Sequence, residues 1–217
     1  VIQDLLNNAE FIKLEKEFPF LSRARGKVFE LEHENYIIVD LETTGLDPAT
    51  HEIIEIGALK IVNLEVKDVF NTLVKPRGIV TPQIEALTGI SPDMLVDQPS
   101  FNQVAQKFLQ FVSGDTILVC HNVDFDIPFL KQHYALLGGK NFNPTTVCTL
   151  KVSRFLYPGL SSHKLKSMAQ HFGIEVKNAH RALGDVETTW ELWQKLIPDL
   201  RDKKGICSRE DLGKIPS

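Results

Sequence analysis

The run Tyr36-Ile37-Ile38-Val39, followed at once by Asp40-Leu41-Glu42, constrains this chain more than any other segment. Successive large apolar residues, three of them β-branched, read as a buried strand. Side chains alternate across a strand, so residues two apart share a face. Asp40 and Glu42 therefore point the same way, side by side, where the strand gives out. Paired carboxylates repel each other and lose solvation when buried. Such a pair stands either as a solvated turn or as oxygen ligands for a hard cation such as Mg²⁺ or Mn²⁺. The rest of the chain decides between the two.

A length of 217 residues allows one sizeable core with an extra arm. No apolar run approaches the roughly 18 residues of a membrane helix, and no secretory signal pattern opens the chain, so no membrane partner is expected. Cys120, Cys148 and Cys207 are far apart and offer no zinc or disulfide spacing. They suit a reducing, cytoplasmic setting. The net charge of −4 excludes a broadly basic coat for long duplexes. Local charge differs: Lys151, Arg154, Lys164, Lys166, Lys177 and Arg181 face only Glu175 over that stretch. That is either a solvated basic face or a patch for a few phosphates.

Residues 1–34 read as an N-terminal arm, partly helical, because Ile2, Leu5, Leu6, Ala9 and Ile12 recur at helical spacing. Strands are expected near 35–41, 52–62 and 67–75, with Asn63-Leu64-Glu65 as a turn, giving an antiparallel meander. Thr81 and Pro82 open a short helix to Leu87. A helix over 100–112 places Phe101, Val104 and Phe108 on one face. A strand over 116–120 follows, then a helix to about Leu137. Pro128 is tolerated in a first turn, which predicts a helix start near Asp126. A strand near 145–148 and helices over 149–156, 163–172 and 182–196 complete the pattern, the last stopping before Pro198. The polar tail, 198–217, is expected to be loose. A meander followed by alternating strands and helices reads as a three-layer α/β domain over 35–197 with a mixed sheet.

Two further acidic residues fall where helices should face the core. Asp126 lines up with Leu130, His133 and Leu137, and Asp185 with Thr189, Leu192 and Leu196. Each alone fits an N-terminal Asp favoured by the helix dipole. Together with Asp40 and Glu42 they form a set that a pair of divalent cations would balance. His180 stands five residues before Asp185. In one continuous helix the two side chains would be about 140° apart at ~3.6 residues per turn. A loop position, from which His180 can swing over the site, is therefore expected.

Three motifs carry a resemblance: Asp40-Leu-Glu42-Thr-Thr-Gly45, His121-Asn122-Val-Asp-Phe125-Asp126, and His180-Arg-Ala-Leu-Gly-Asp185. In this order they make the chain resemble the DEDDh exonucleases, especially the epsilon-type proofreading exonucleases of bacterial replicative polymerases and the exonuclease module of the Gram-positive replicative polymerase. Weaker echoes are Ile53-Ile-Glu-Ile-Gly57, Ile84-Glu-Ala-Leu-Thr-Gly-Ile90 and the stretch from His163 to Gly173. The resemblance covers about 35–197. It implies a ribonuclease H-like fold with a mixed five-stranded sheet flanked by helices. The family pattern selects Asp126, after Phe125, as ligand and leaves Asp124 as a helix-capping neighbour. A sister branch carries Tyr where His180 stands, and no Tyr lies between His180 and Asp185.

The resemblance further implies two divalent cations, Mg²⁺ or Mn²⁺, ~4 Å apart. Asp40 bridges them, Glu42 and Asp185 complete one site, and Asp126 supports the cluster directly or through water. His180 takes a proton from the attacking water, a task that suits an imidazole, whose ordinary pKa is ~6.5. The reaction implied is removal of nucleotides from 3′ ends, with release of nucleoside 5′-monophosphates. Backbone groups of Thr43, Thr44 and Gly45 would meet the terminal nucleotide, and Leu46 and Phe125 its base. His121 and Asn122 would meet sugar or phosphate. DNA 3′ ends are the favoured partner, with a DNA polymerase or another replication or repair protein as candidate companion. RNA trimming of the ribonuclease T or oligoribonuclease kind is the alternative within enzymes. A haloacid dehalogenase-type phosphatase would need Asp where Glu42 stands. A binding module on the same fold would usually lack a ligand.

Overall fold

The computed structural model describes residues 30–138, 142–176 and 180–216. The helix expected over Ile2–Ile12, and Gly139 and Lys177, lie outside the described residues. A short helix α1 (Glu30–His33) precedes β1 (Tyr36–Thr43), β2 (Ile53–Val62) and β3 (Glu65–Leu73). Helices α2 (Pro82–Thr88), α3 (Pro92–Leu95) and α4 (Phe101–Phe111) follow, then β4 (Ile117–Cys120) and α5 (Val123–Leu136). The chain continues through β5 (Thr145–Cys148), α6 (Thr149–Leu156), α7 (Leu165–Phe172) and α8 (Ala182–Lys204), with a 3₁₀ turn at Glu210–Lys214.

The sheet order is β3-β2-β1-β4-β5. The meander pairs antiparallel, while β4 lies parallel to β1 and β5 parallel to β4. This is the expected mixed five-stranded sheet. Alternation along β1 divides the core. Tyr36 and Ile38 pack with Val152, Met168, Trp190 and Trp193 from α6, α7 and α8. Ile37, Val39 and Leu41 pack on the other face with Phe108, Phe129 and Leu130 from α4 and α5. Fully burying one such side chain contributes roughly 1.5–3 kcal/mol, so each strand face is firmly assigned. Asp40 and Glu42 continue the Tyr36–Ile38 face and end beneath α8.

Local signals hold in detail. Thr81 caps α2 by accepting the Ile84 N–H, and Gly89 ends that helix in the left-handed region. Ser100 and Gln103 form a capping box at α4. Two proline readings are corrected. Helix α5 begins at Val123, not near Asp126, because the Phe125 N–H closes its first turn onto the Asn122 carbonyl at 2.8 Å. Pro128 then costs a single bond to the carbonyl of Asp124. Helix α8 runs through Pro198 to Lys204, since Leu196, Ile197 and Leu200 are all buried and outweigh one lost bond.

The tail is docked rather than loose. Gly205 is left-handed and caps α8, and Ile206 is buried. The Asp211 carboxylate accepts the N–H groups of Cys207 and Ser208. Arg209 binds Glu34 and Asp115, which ties the end of the chain to the entrances of β1 and β4.

Candidate active site

Strand β1 outruns its neighbour. Its parallel pairing with β4 reaches Ile38↔Val119, whereas its antiparallel pairing with β2 continues through Asp40↔Gly57 and Glu42↔Glu55. Past Val39, β1 no longer pairs with β4, and this switch in pairing puts the ligand crevice of an open α/β sheet at the end of β1. A register shift between Glu42 and Thr43 bends the strand end outward.

Asp40, Glu42 and Asp185 meet in this crevice, each half-buried, with one carboxylate oxygen from each lying within 4.8 Å of the others. Asp126 arrives from the first turn of α5 and is 2% exposed. Its Oδ1 has no hydrogen-bond partner among the described residues. Burial pushes the Asp40 carboxyl well above the usual range, and Asp126, Glu42, Asp185 and Glu55 push it further. Burial, with Asp185 and Glu55, lifts Glu42 to about 7 against the pull of Arg181. Burial also raises Asp126, although its own N–H and that of Leu41 favour the charged form. Burial raises Asp185 too, opposed by the His180 N–H and the His180 side chain. Four carboxylates whose charged forms are disfavoured by burial, one with an orphaned buried oxygen, form a donor set that fits hard divalent cations.

His180 lies on the loop immediately before α8, as expected, and is exposed with φ 61°. Its N–H donates to Asp185 Oδ2 at 3.2 Å. The next residue, Arg181, forms a two-pronged contact with the buried Glu55.

The other residues singled out from sequence distribute around the crevice. The Thr43 hydroxyl donates to the Gly45 carbonyl at 2.6 Å. The Thr44 hydroxyl accepts the Glu52 N–H at 2.9 Å. The His51 ring packs so closely on Gly45 that a Cβ there would lie 2.5 Å from it. Leu46 is 83% exposed and belongs to no core. Asn122 is exposed and left-handed, with φ 98° and no capping bond from its side chain. Phe125 is half-buried against Phe129, with ring centroids 5.1 Å apart. Asp124 is not the cap, since Asn122 occupies that position, and it pairs with Lys151 at 2.9 Å.

His121 is engaged at both ring nitrogens. Nδ1 meets the Thr149 hydroxyl at 2.9 Å and Nε2 the His163 carbonyl at 3.0 Å. A neutral ring satisfies both if Nε2–H donates to the carbonyl and Nδ1 accepts the Thr149 hydroxyl hydrogen in place of that hydroxyl's longer 3.3 Å bond to the Cys120 carbonyl. Burial, chiefly, lowers its pKa to about 4, which agrees with a neutral ring.

Sequence reasoning missed two positions on β2 that shape this site. Glu55 is 1% exposed and faces Glu42 across the strand pair. Gly57 faces Asp40, and a Cβ on it would lie 2.5 Å from the Ala182 carbonyl carbon. Together they let the start of α8 settle onto β2. The signal available was the segment Ile53-Ile-Glu-Ile-Gly57, with a lone Glu and Gly inside a strand of Ile, Ala and Leu. A charge in the middle of a buried strand requires a partner.

The family model for ribonuclease T-type exonucleases matches residues 37–193. The chain is 39% identical over 171 residues to the DNA polymerase III epsilon subunit of Aquifex aeolicus, covering 79% of this chain and 84% of that one. It is 40% identical over 180 residues to a PolC-type DNA polymerase III of Caldanaerobacter subterraneus, covering 83% of this chain but 13% of that much longer protein. Among solved structures, Exonuclease X in complex with 5′-overhanging duplex DNA superposes with a TM-score of 0.65 at 24% identity, covering 83% of this chain and 98% of that one. The nuclease domain of 3′hExo, a DEDDh family member bound to rAMP, superposes with a TM-score of 0.68 at 23% identity, covering 78% and 94%. These two structural likenesses establish the fold. The family model and the sequence matches show that the chain belongs to the exonuclease family and is similar to the epsilon subunit of DNA polymerase III.

Proposed function

We propose that this chain is a divalent-cation-dependent 3′–5′ exonuclease that shortens single-stranded or frayed DNA 3′ ends and releases nucleoside 5′-monophosphates. The observation that carries the reading is the convergence of Asp40, Glu42 and Asp185 within 4.8 Å, with Asp126, whose buried Oδ1 has no partner among the described residues, acting by its charge on Asp40. These residues would hold two cations, Mg²⁺ or Mn²⁺, whose charge would stabilise the oxygens of the attacked phosphodiester.

The protein's own groups do the rest. His180, exposed on its loop, accepts the proton of the attacking water. Asp185 fixes that loop by accepting the His180 N–H. Backbone groups from Thr43 to Gly45 line the pocket for the last nucleotide, and the hydroxyls of Thr43 and Thr44 hold that turn in shape. Leu46, apolar and exposed, separates the last base from its neighbour, and Phe125 offers a ring face for stacking. The Asn122 side chain reaches sugar or phosphate. His121 acts as a positioning residue, because both its nitrogens are spent on Thr149 and His163.

Within the basic stretch, Lys151 and Arg181 are paired with Asp124 and Glu55. Arg154, Lys164 and Lys166 are exposed and make no ion pair among the described residues, so they remain to guide the incoming strand. Strand binding should therefore weaken with salt. DNA is favoured over RNA because the sequence relatives are DNA polymerase III proteins. The same relatives support proofreading or repair beside a bacterial polymerase, in the cytoplasm. No described helix is long and apolar enough to cross a membrane. Asp40→Ala should abolish Mg²⁺- or Mn²⁺-dependent hydrolysis while the protein stays folded; undiminished turnover would end the proposal.

A further inference from the structure

Glu55 is the buried acid of β2, and among the described residues its carboxylate hydrogen-bonds to the start of α8. Its carboxylate accepts Arg181 Nε at 3.1 Å, the second Arg181 guanidinium nitrogen at 2.7 Å and the Ala182 N–H at 3.0 Å. The Ala182 N–H is one of the donors that a helix leaves unsatisfied at its N-terminus. The Arg181 carbonyl in turn accepts the Asp185 N–H at 3.1 Å, and Asp185 accepts the His180 N–H. A closed chain of contacts thus runs from Glu55 through Arg181 and Ala182 to Asp185 and His180. Gly57, two residues along β2, leaves the space that this approach needs.

Charge adds a second constraint. Glu55 faces Glu42 across the strand pair. Left unpaired, it would be one more negative charge beside Asp40, Glu42 and Asp185. A two-pronged guanidinium contact cancels it, and does so in a fixed orientation that an ammonium group cannot copy.

We infer that Glu55 and Arg181 are positioning residues of the exonuclease reaction: their clamp seats Asp185 and His180 over the crevice and keeps Glu55 out of the cation site. The inference deepens the proposed function and rests on its cation-dependent reading. Loss of an ion pair serving stability alone would lower the melting temperature and leave cation binding the same in both single variants. The clamp makes a different prediction, because its two halves carry opposite charge.

The test compares Glu55→Gln, Arg181→Gln and the double variant in Mn²⁺ binding by calorimetry, melting temperature, and kcat and KM on a 5′-labelled single-stranded oligonucleotide. Glu55→Gln strands a guanidinium beside Glu42 and should weaken Mn²⁺ binding about tenfold. Arg181→Gln frees a carboxylate, so Mn²⁺ binding should hold or tighten, and the double variant should return close to wild type. All three should lose roughly 10- to 100-fold in kcat, as loss of a ligand-orienting partner typically costs, with KM little changed. Equal Mn²⁺ affinity in the two single variants together with wild-type kcat would overturn the clamp. So would a rise in KM at unchanged kcat, which would make Arg181 a phosphate contact instead. If Glu55→Gln does not fold, Arg181→Lys keeps the charge and loses the fork: kcat should fall with Mn²⁺ affinity intact, and full kcat would overturn the proposal. Absence of Mn²⁺ binding by the wild-type protein would instead remove the cation-dependent reading itself.

Discussion

Asp40 and Gly57 are partners across β1 and β2, and the space a side chain at 57 would fill is taken by the Ala182 carbonyl group. The strand pair that presents the first carboxylate therefore also seats the helix that delivers Asp185. Gly57→Ala should push the start of α8 away, at a stability cost of roughly 1–3 kcal/mol for overpacking. Turnover should fall further than that loss explains, because Asp185 and His180 move with the helix. Chemical denaturation beside a turnover assay checks this, and a variant with native stability and native turnover would refute the account of Gly57.

The metal-free protein should grow less stable above about pH 6.5. Glu42 binds its proton more tightly folded than unfolded, with a pKa moved from 4.5 to about 7. Its stabilising contribution is fully present below the unfolded value and is lost as pH rises through the folded one. Asp40, Asp126 and Asp185 shift the same way. His121 and His133 shift oppositely, since burial lowers both from 6.5, but their gain with rising pH is complete above that value. Melting temperature in chelator should therefore decline from about pH 6.5 to 8, and added Mn²⁺ should flatten the decline. A metal-free melting temperature that climbs across this window would contradict the assignment.

His180→Ala should reduce turnover by roughly 10²–10⁴-fold, the range for loss of a general base. Because His180 is exposed, the melting temperature should barely move. A negligible loss of turnover would pass the base role to another group.

Leu46→Ala should leave stability within about 0.5 kcal/mol, as expected of an exposed site away from structural features. It should raise KM on single-stranded ends and weaken attack on paired ends that must fray. Steady-state kinetics on the two substrates separates these effects, and unchanged kinetics on both would remove Leu46 from the substrate site.

The strands and the acidic set were legible because both signals are local. Apolar runs mark β1, β2 and β4, and alternation places Asp40 beside Glu42. What escaped depends on residues far apart in the chain. The value of Glu55 and Gly57 lies in their register with Glu42 and Asp40 and in the later arrival of α8. The docking of the tail rests on Arg209 finding Glu34 and Asp115, which no periodicity announces. The prolines misled for a related reason: one missing N–H at 128 or 198 is outweighed by buried Phe129 and Leu130, or by Leu196 and Leu200. His121 was singled out as a substrate contact, yet Thr149 and the His163 carbonyl, distant in sequence, occupy its ring.

The central claim, that Asp40, Glu42, Asp126 and Asp185 form a cation centre for 3′-end hydrolysis, is tested most directly with end-labelled oligonucleotides. Matched DNA and RNA strands, labelled at the 5′ or the 3′ end, are incubated with Mg²⁺, with Mn²⁺ or with chelator. The account predicts that 3′ label leaves first as a nucleoside monophosphate and that 5′-labelled DNA shortens into a ladder. It also predicts silence in chelator and with Asp40→Asn, and slower loss of RNA than of DNA. Hydrolysis that persists in chelator, or 5′ label released before 3′ label, would contradict it.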